Sequence, residues 1–408
     1  FGSSRCGLSH LAGVLPNLWH LDAAMGAGVG DVFGAVGSQT SAAPPPELID
    51  ELDQKGASNE LVQDWAAREA KNMARLAQRH GKCGNDVPPG QPLNQELRKA
   101  ALQFLTSLVE LSGLPQSTWF DAVLLLDLCY LSGRVGEEVL PSVCTVLVTV
   151  LGKNESATST VRLADLSILT TRFAMWMSGM GYYVLCQEVT KVELRKQETA
   201  VLSALDWQLN WPSVRTWLSA FCDRFDVLLR HTMTSNIEWI FAQSIFSASS
   251  LVAHHPASAT MAPQRMANGL LCIFLVVARM VPLAALRPAH LSQEEWEERF
   301  CKSQCMGAPP SSSLPPAWGA GILRFLTIVT GCEFRTLVVD AHLVVEAMLD
   351  VTHQQHAATQ VPGAKCWLQH FPQDEHWWRY SKESSQPQAH QQEPDPEPEL
   401  GRRLVAVC

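Results

Sequence analysis

The clearest signal in the chain is a helical alternation of apolar and polar positions that begins near residue 97. Leu97, Ala101, Phe104, Leu105, Leu108 and Leu111 return every three or four residues and so predict one helix face. Gly113 and Pro115 end that element. The next run, "TWFDAVLLLDLCYL", predicts a second helix with Thr118 as its N-cap. "LPSVCTVLVTVLGK" follows and is apolar on nearly every side from Leu140 to Leu151. A helix of that kind must be enclosed by other helices. Its β-branched residues also admit a strand, for which no neighbouring segment offers a partner. From Asn154 to Thr190 the period is unclear. "KVELRKQETAVLSALDW" restores it, with Leu194, Val201, Leu202 and Leu205 inward, and Pro212 sets a boundary.

After Pro212 the same rhythm returns. Val214, Trp217, Leu218, Phe221 and Phe225 share one face, and "IEWIFAQSIFSASSLV" supplies a second helix before Pro256. "APQRMANGLLCIFLVVAR" is again apolar all round, with Pro263 placed for a first helical turn. Val281 to Pro316 reads as an acidic, then Ser/Pro-rich insertion. "WGAGILRFLTIVTG" and "FRTLVVDAHLVVEAML" complete five helices. Two blocks with the third helix wrapped by the others indicate an internal duplication. The pattern therefore predicts an all-α chain. It predicts a flexible tail over residues 1–58, and over 59–93 a helix and linker with Leu61, Trp65, Met73 and Leu76 roughly on one face. The two five-helix blocks are expected over 94–211 and 212–351, and a second flexible tail over 352–408, which contains "QQEPDPEPEL".

Composition narrows the function classes. Hydrophobic residues make up 47% of the 408 positions, enough for sizeable cores, whereas charged residues are 17% and the net charge is −9. That balance does not suit a surface built for phosphates, so no nucleic-acid partner is expected. Twelve cysteines include no CxxC pair, and Cys301 with Cys305 lacks a second pair. Cys129, Cys144 and Cys272 lie in apolar runs, which reads as reduced thiols in a nuclear or cytoplasmic protein. The longest apolar stretch, Gly269 to Leu286, is broken by Arg279 and Pro282 and suits a buried helix better than a membrane span. The chain begins at Phe1, which leaves a preceding targeting segment open.

Candidate chemistry is sparse. His254–His255 and the HxxH of His353 and His356 lack a cysteine or carboxylate framework, so no metal is expected. No GxGxxG opens a helix, and no GKS/T, HRD or DFG set occurs. The chain is expected to be neither an enzyme nor a cofactor carrier. "RCGL", from Arg5 to Leu8, fits the RxxL core of a destruction signal.

The ordered motifs resemble the cyclin family, nearest in pattern to its A/B-type members. "LRKAALQFL" is similar to the family's "MRAILVDWL", with Arg98 at the arginine, and "FDAVLLLDLCYL" to "AV.LLDRFL", with Asp127 at the aspartate. "LGKNES" is similar to "ASKYEE", which puts Lys153 at the lysine; "KQETAVLSALDWQLNWPS" puts Glu198 at the family's glutamate. "APQRMANGLLCIFLVVAR" and the helix ending in "TG" resemble the second cyclin fold. The resemblance spans roughly Asn94 to Leu349 and implies two tandem five-helix cyclin folds. It also implies a cyclin-dependent serine/threonine kinase as partner, contacted by Lys153, Glu198, Leu202, Trp207 and Leu209. Arg98 and Asp127 are then a structural pair within the fold.

Departures from the family are informative. Lys153 and Glu198 lie further apart than is usual, which implies an insertion around "RFAMWMSGMGYYV". The substrate-docking patch is replaced by Leu97, Ala101 and Phe104, a smaller surface, and Pro141 stands where a glutamine is usual. Kinase binding is thus expected without the typical substrate docking. The other class open to this fold, a transcription factor or scaffold without kinase activation, would be expected to carry basic helix faces and a zinc ribbon.

Overall fold

The computed structural model describes residues 58–82, 92–154, 163–185, 188–303 and 319–359. Among these residues the chain is all-helical, without a strand. The α-helices are α1 (Asn59–Lys82), α2 (Gln95–Leu111), α3 (Ser117–Leu131), α4 (Leu140–Asn154), α5 (Leu163–Gly179) and α6 (Lys191–Ala204). They continue as α7 (Val214–Leu228), α8 (Thr234–His254), α9 (Pro263–Val277), α10 (Gln293–Ser303), α11 (Gly319–Thr330) and α12 (Phe334–Thr359).

Local chemistry starts these helices where the sequence allows it. Asn94 accepts from the Glu96 amide at 2.9 Å to cap α2, and Thr190 accepts from the Glu193 amide at 3.2 Å to cap α6. Pro263 occupies the first turn of α9, where its missing N–H costs nothing. The segment from Asn154 to Thr190, which has no clean period, contains α5.

The two wholly apolar helices become the centres of two helical groups. α4 packs against α2, α3, α5 and α6, and every residue from Leu140 to Val148 is buried. Enclosure favours a helix over a strand there, because a helix satisfies its own backbone hydrogen bonds. α9 packs against α7, α8 and α12, with Met266 through Leu275 buried. Gly269 sets the α9–α12 spacing: a Cβ there would stand 2.6 Å from the Asp340 carbonyl oxygen. Each fully buried aliphatic in these helices contributes about 1.5–3 kcal/mol.

Several side chains depart from the pattern. On α1 the buried positions are Val62 and Glu69, while Leu61, Trp65 and Met73 are half-buried; the Leu76 side chain lies outside the described set. The reason is what α1 meets. Trp65 packs edge-to-face on Trp217 of α7, with centroids 5.5 Å apart. Leu111, the last residue of α2, is exposed. The segment read as an insertion contains α10, which packs on α12 through buried Trp296 and Phe300. α12 continues beyond residue 351, the predicted end of the second block, to Thr359. "RCGL" and "QQEPDPEPEL" lie outside the described residues. No described helix is long and apolar enough to cross a membrane.

Candidate partner-binding surface

Lys153 is the penultimate residue of α4, where a cation complements the negative end of the helix dipole. Its Nζ donates to Glu198 Oε1 at 2.7 Å. Glu198 is carried by α6, which is fixed against α4 by buried Leu194 and Val201. The structure thus joins two positions that the sequence leaves 45 residues apart. The pair is wet: the lysine side chain is 60% exposed and the glutamate 29%. Such a pair adds little to folding and leaves both groups able to exchange partners.

The three apolar candidates have different settings. Leu202, on α6, and Leu209, beyond it, are half-buried and pack on the core. Trp207 is 65% exposed, and every other tryptophan among the described residues is half-buried or buried. It follows the C-terminus of α6, and both Asp206 and Trp207 are left-handed, with φ of 52° and 62°. The Trp207 amide donates to the Leu202 carbonyl at 2.8 Å, which closes the end of the helix.

Sequence reasoning missed a second set of exposed apolar side chains. α5 packs against both α4 and α6, yet Ile168 and Met175 on it are exposed. Met180, Tyr183 and Leu185, in the segment that follows, are exposed as well. The available signal was Ile168 and Met175 standing two turns apart, on one helix face, within a stretch of weak periodicity.

Arg98 and Asp127 are brought together deep inside. Arg98 Nε and Nη2 donate to the two Asp127 carboxylate oxygens at 2.8 and 2.7 Å, and Nη1 donates to the Val252 carbonyl at 2.5 Å. One arginine therefore ties α2 and α3 to α8 across the two helical groups. The fork geometry suits a bidentate carboxylate. Leu97, Ala101 and Phe104 are all buried, so these three side chains form no exposed patch.

Among the described residues no group of three or more His, Cys, Asp or Glu side chains is placed to hold a metal. His255 Nε2 stands 3.6 Å from Asp350, and His254 Nδ1 stands 3.0 Å from the Ser250 carbonyl oxygen. Burial pushes the Cys129 thiol up to about 12 and those of Cys144, Cys222 and Cys272 further up, so they behave as small apolar groups. Glu69 is a buried acid. It accepts from Trp217 Nε1 at 2.8 Å and from the Gln264 amide at 3.2 Å, and burial raises its pKa to about 7. No model of a known protein family matches the chain, and no curated protein matches it.

Proposed function

We propose that this chain is a cyclin-like regulatory subunit, built as two tandem cyclin folds, that binds and activates a cyclin-dependent serine/threonine kinase and so controls cell-cycle progression. The observation that carries this reading is the 2.7 Å Lys153–Glu198 pair at the adjoining parts of α4 and α6. It stands at the positions expected from the family motifs and is exposed enough to be offered to a partner.

The chemistry asked of such a subunit is modest. A kinase aligns ATP only when its strand lysine pairs with a glutamate on a movable helix. A partner that binds the aligned arrangement more tightly shifts the kinase toward it, with no nucleophile or base of its own. Lys153 and Glu198 would bond backbone groups at the end of that moving helix. Trp207 would bury its indole on the kinase, with Leu202 and Leu209 supporting it. The second helical group would brace the first, partly through Arg98 and the Val252 carbonyl. On this reading the chain works in the nucleus or cytoplasm, and carries neither cofactor nor nucleic acid.

The test is capture of purified cyclin-dependent kinases by the immobilised chain. The parent should retain at least one kinase, and Lys153→Ala with Glu198→Ala should weaken capture by about tenfold or more, the equivalent of about 1.4 kcal/mol. Equal capture by the double variant would remove these residues from the interface. Failure of the folded parent to retain any kinase would refute the function.

A further inference from the structure

Trp207 is presented by a backbone that a tryptophan does not adopt readily. A left-handed residue with a Cβ is disfavoured, and two in succession need support from their surroundings. The same fold contains a useful comparison. At the end of α7, Arg230 and His231 are also left-handed, with φ of 53° and 55°. There the support is local: Asp226 of the same helix accepts from Thr234 Oγ1 at 2.8 Å and stands 2.5 Å from His231 Nδ1.

At the end of α6 the support comes from elsewhere in the chain. Arg134 lies in the segment between α3 and α4, and its Nη1 donates to the Ser203 carbonyl at 2.6 Å and to Asp206 Oδ1 at 3.1 Å. That segment is itself anchored. The Arg134 amide donates to Ser132 Oγ at 3.2 Å, Ser132 Oγ donates to the Cys129 carbonyl at 2.6 Å, and Tyr130 Oη donates to the Gly136 carbonyl at 3.3 Å. One guanidinium nitrogen therefore grips the last turn of α6 and the left-handed residue beside Trp207.

We propose that Arg134 is the positioning residue of the partner-binding surface, holding Asp206–Trp207 so that Trp207 stands ready as a preformed anchor for an apolar pocket on the partner. The role of Trp207 rests on the kinase-binding reading; the clamp on it does not. Preformation matters because an anchor already in its bound conformation loses less entropy on association, and buried tryptophans carry much of the energy of an interface. Arg134 itself need not touch the partner.

The test uses the full chain labelled with 5-fluorotryptophan, with the Trp207 fluorine resonance assigned from Trp207→Phe. Arg134→Ala should shift or broaden that resonance and speed hydrogen exchange at the Trp207 and Gln208 amides, while circular dichroism stays that of the parent. Arg134→Lys, which keeps a cation and a donor, should restore both signals in large part. In capture of purified cyclin-dependent kinases, Arg134→Ala should lose about tenfold, the order of the left-handed cost of one residue. Adding Trp207→Ala to it should cost less than Trp207→Ala costs alone. An unchanged resonance and unchanged exchange in Arg134→Ala would overturn the clamp. A shifted resonance with full capture by Arg134→Ala, from a parent that does bind, would overturn its importance for binding. If the parent captures no kinase, the functional reading fails, and the fluorine and exchange signals still decide the clamp.

Discussion

Arg98 and Lys153 each hold a carboxylate oxygen at 2.7 Å, but their surroundings give the two pairs opposite consequences. The Arg98–Asp127 side chains are 6% and 7% exposed, so removing either leaves a charge stranded in a dry place. Arg98→Ala should cost about 3–5 kcal/mol in denaturant unfolding, the usual effect of breaking a buried pair. Lys153→Ala should stay within about 1 kcal/mol, because the pair is solvated. A large stability loss at Lys153 would mark it as a structural group instead. The sequence made Lys153 and Glu198 legible through the motifs around them. It could not reveal that Arg98 also reaches the Val252 carbonyl, since a backbone acceptor has no signature of its own and depends on how the two helical groups meet. Trp207 was legible as an aromatic beside a helix end; its left-handed backbone and the Arg134 grip were not.

At the scale of elements, the helices with strong periodicity were readable, and the misses have physical causes. α10 hides in a segment whose acidic composition suggests an exposed insertion. Its start is nonetheless a capping box: the Glu295 amide donates to Ser292 Oγ at 3.2 Å, and the Ser292 amide donates to Glu295 Oε2 at 2.9 Å. The spacing of Ser292, Glu295, Trp296 and Phe300 was the overlooked signal. Ser292→Ala should destabilise the chain by about 1 kcal/mol, read from the melting midpoint. α1 was readable as a helix but not in its buried face, because Glu69 is buried by what it bonds. It accepts from Trp217 of α7 and from an amide in the first turn of α9, a helix without a side-chain N-cap of its own.

That arrangement makes the seat of α1 sensitive to pH. Burial raises the folded pKa of Glu69 from 4.5 to about 7, so folding favours the protonated form. The associated stability is fully present below pH 4.5 and is lost as pH rises through about 7. The shift corresponds to roughly 3 kcal/mol at most. Protection of the α1 amides from hydrogen exchange should therefore fall between about pH 4.5 and 7, after correction for the intrinsic rate. Glu69→Gln, which cannot ionise, should flatten that fall; an unchanged slope in the variant would assign it to another group.

Across the whole molecule, the all-helical class and the two enclosed helices followed from pattern alone, because a helix apolar on every side has one way to avoid water. α4 and α9 each gather neighbours as that argument requires. How the two groups join was not readable, since it depends on Arg98 of α2 meeting a carbonyl of α8 and on α3 packing against α7. On the proposed function, the helical body offers Lys153, Glu198 and Trp207 to a kinase. The most direct test is phosphotransfer to a peptide substrate by purified, partner-free cyclin-dependent kinases, with and without the chain. The parent should raise the rate of at least one kinase, and Lys153→Ala with Glu198→Ala, or Trp207→Ala alone, should lose most of that increase while remaining folded. A folded parent that leaves the rate of every such kinase unchanged would contradict the proposed function.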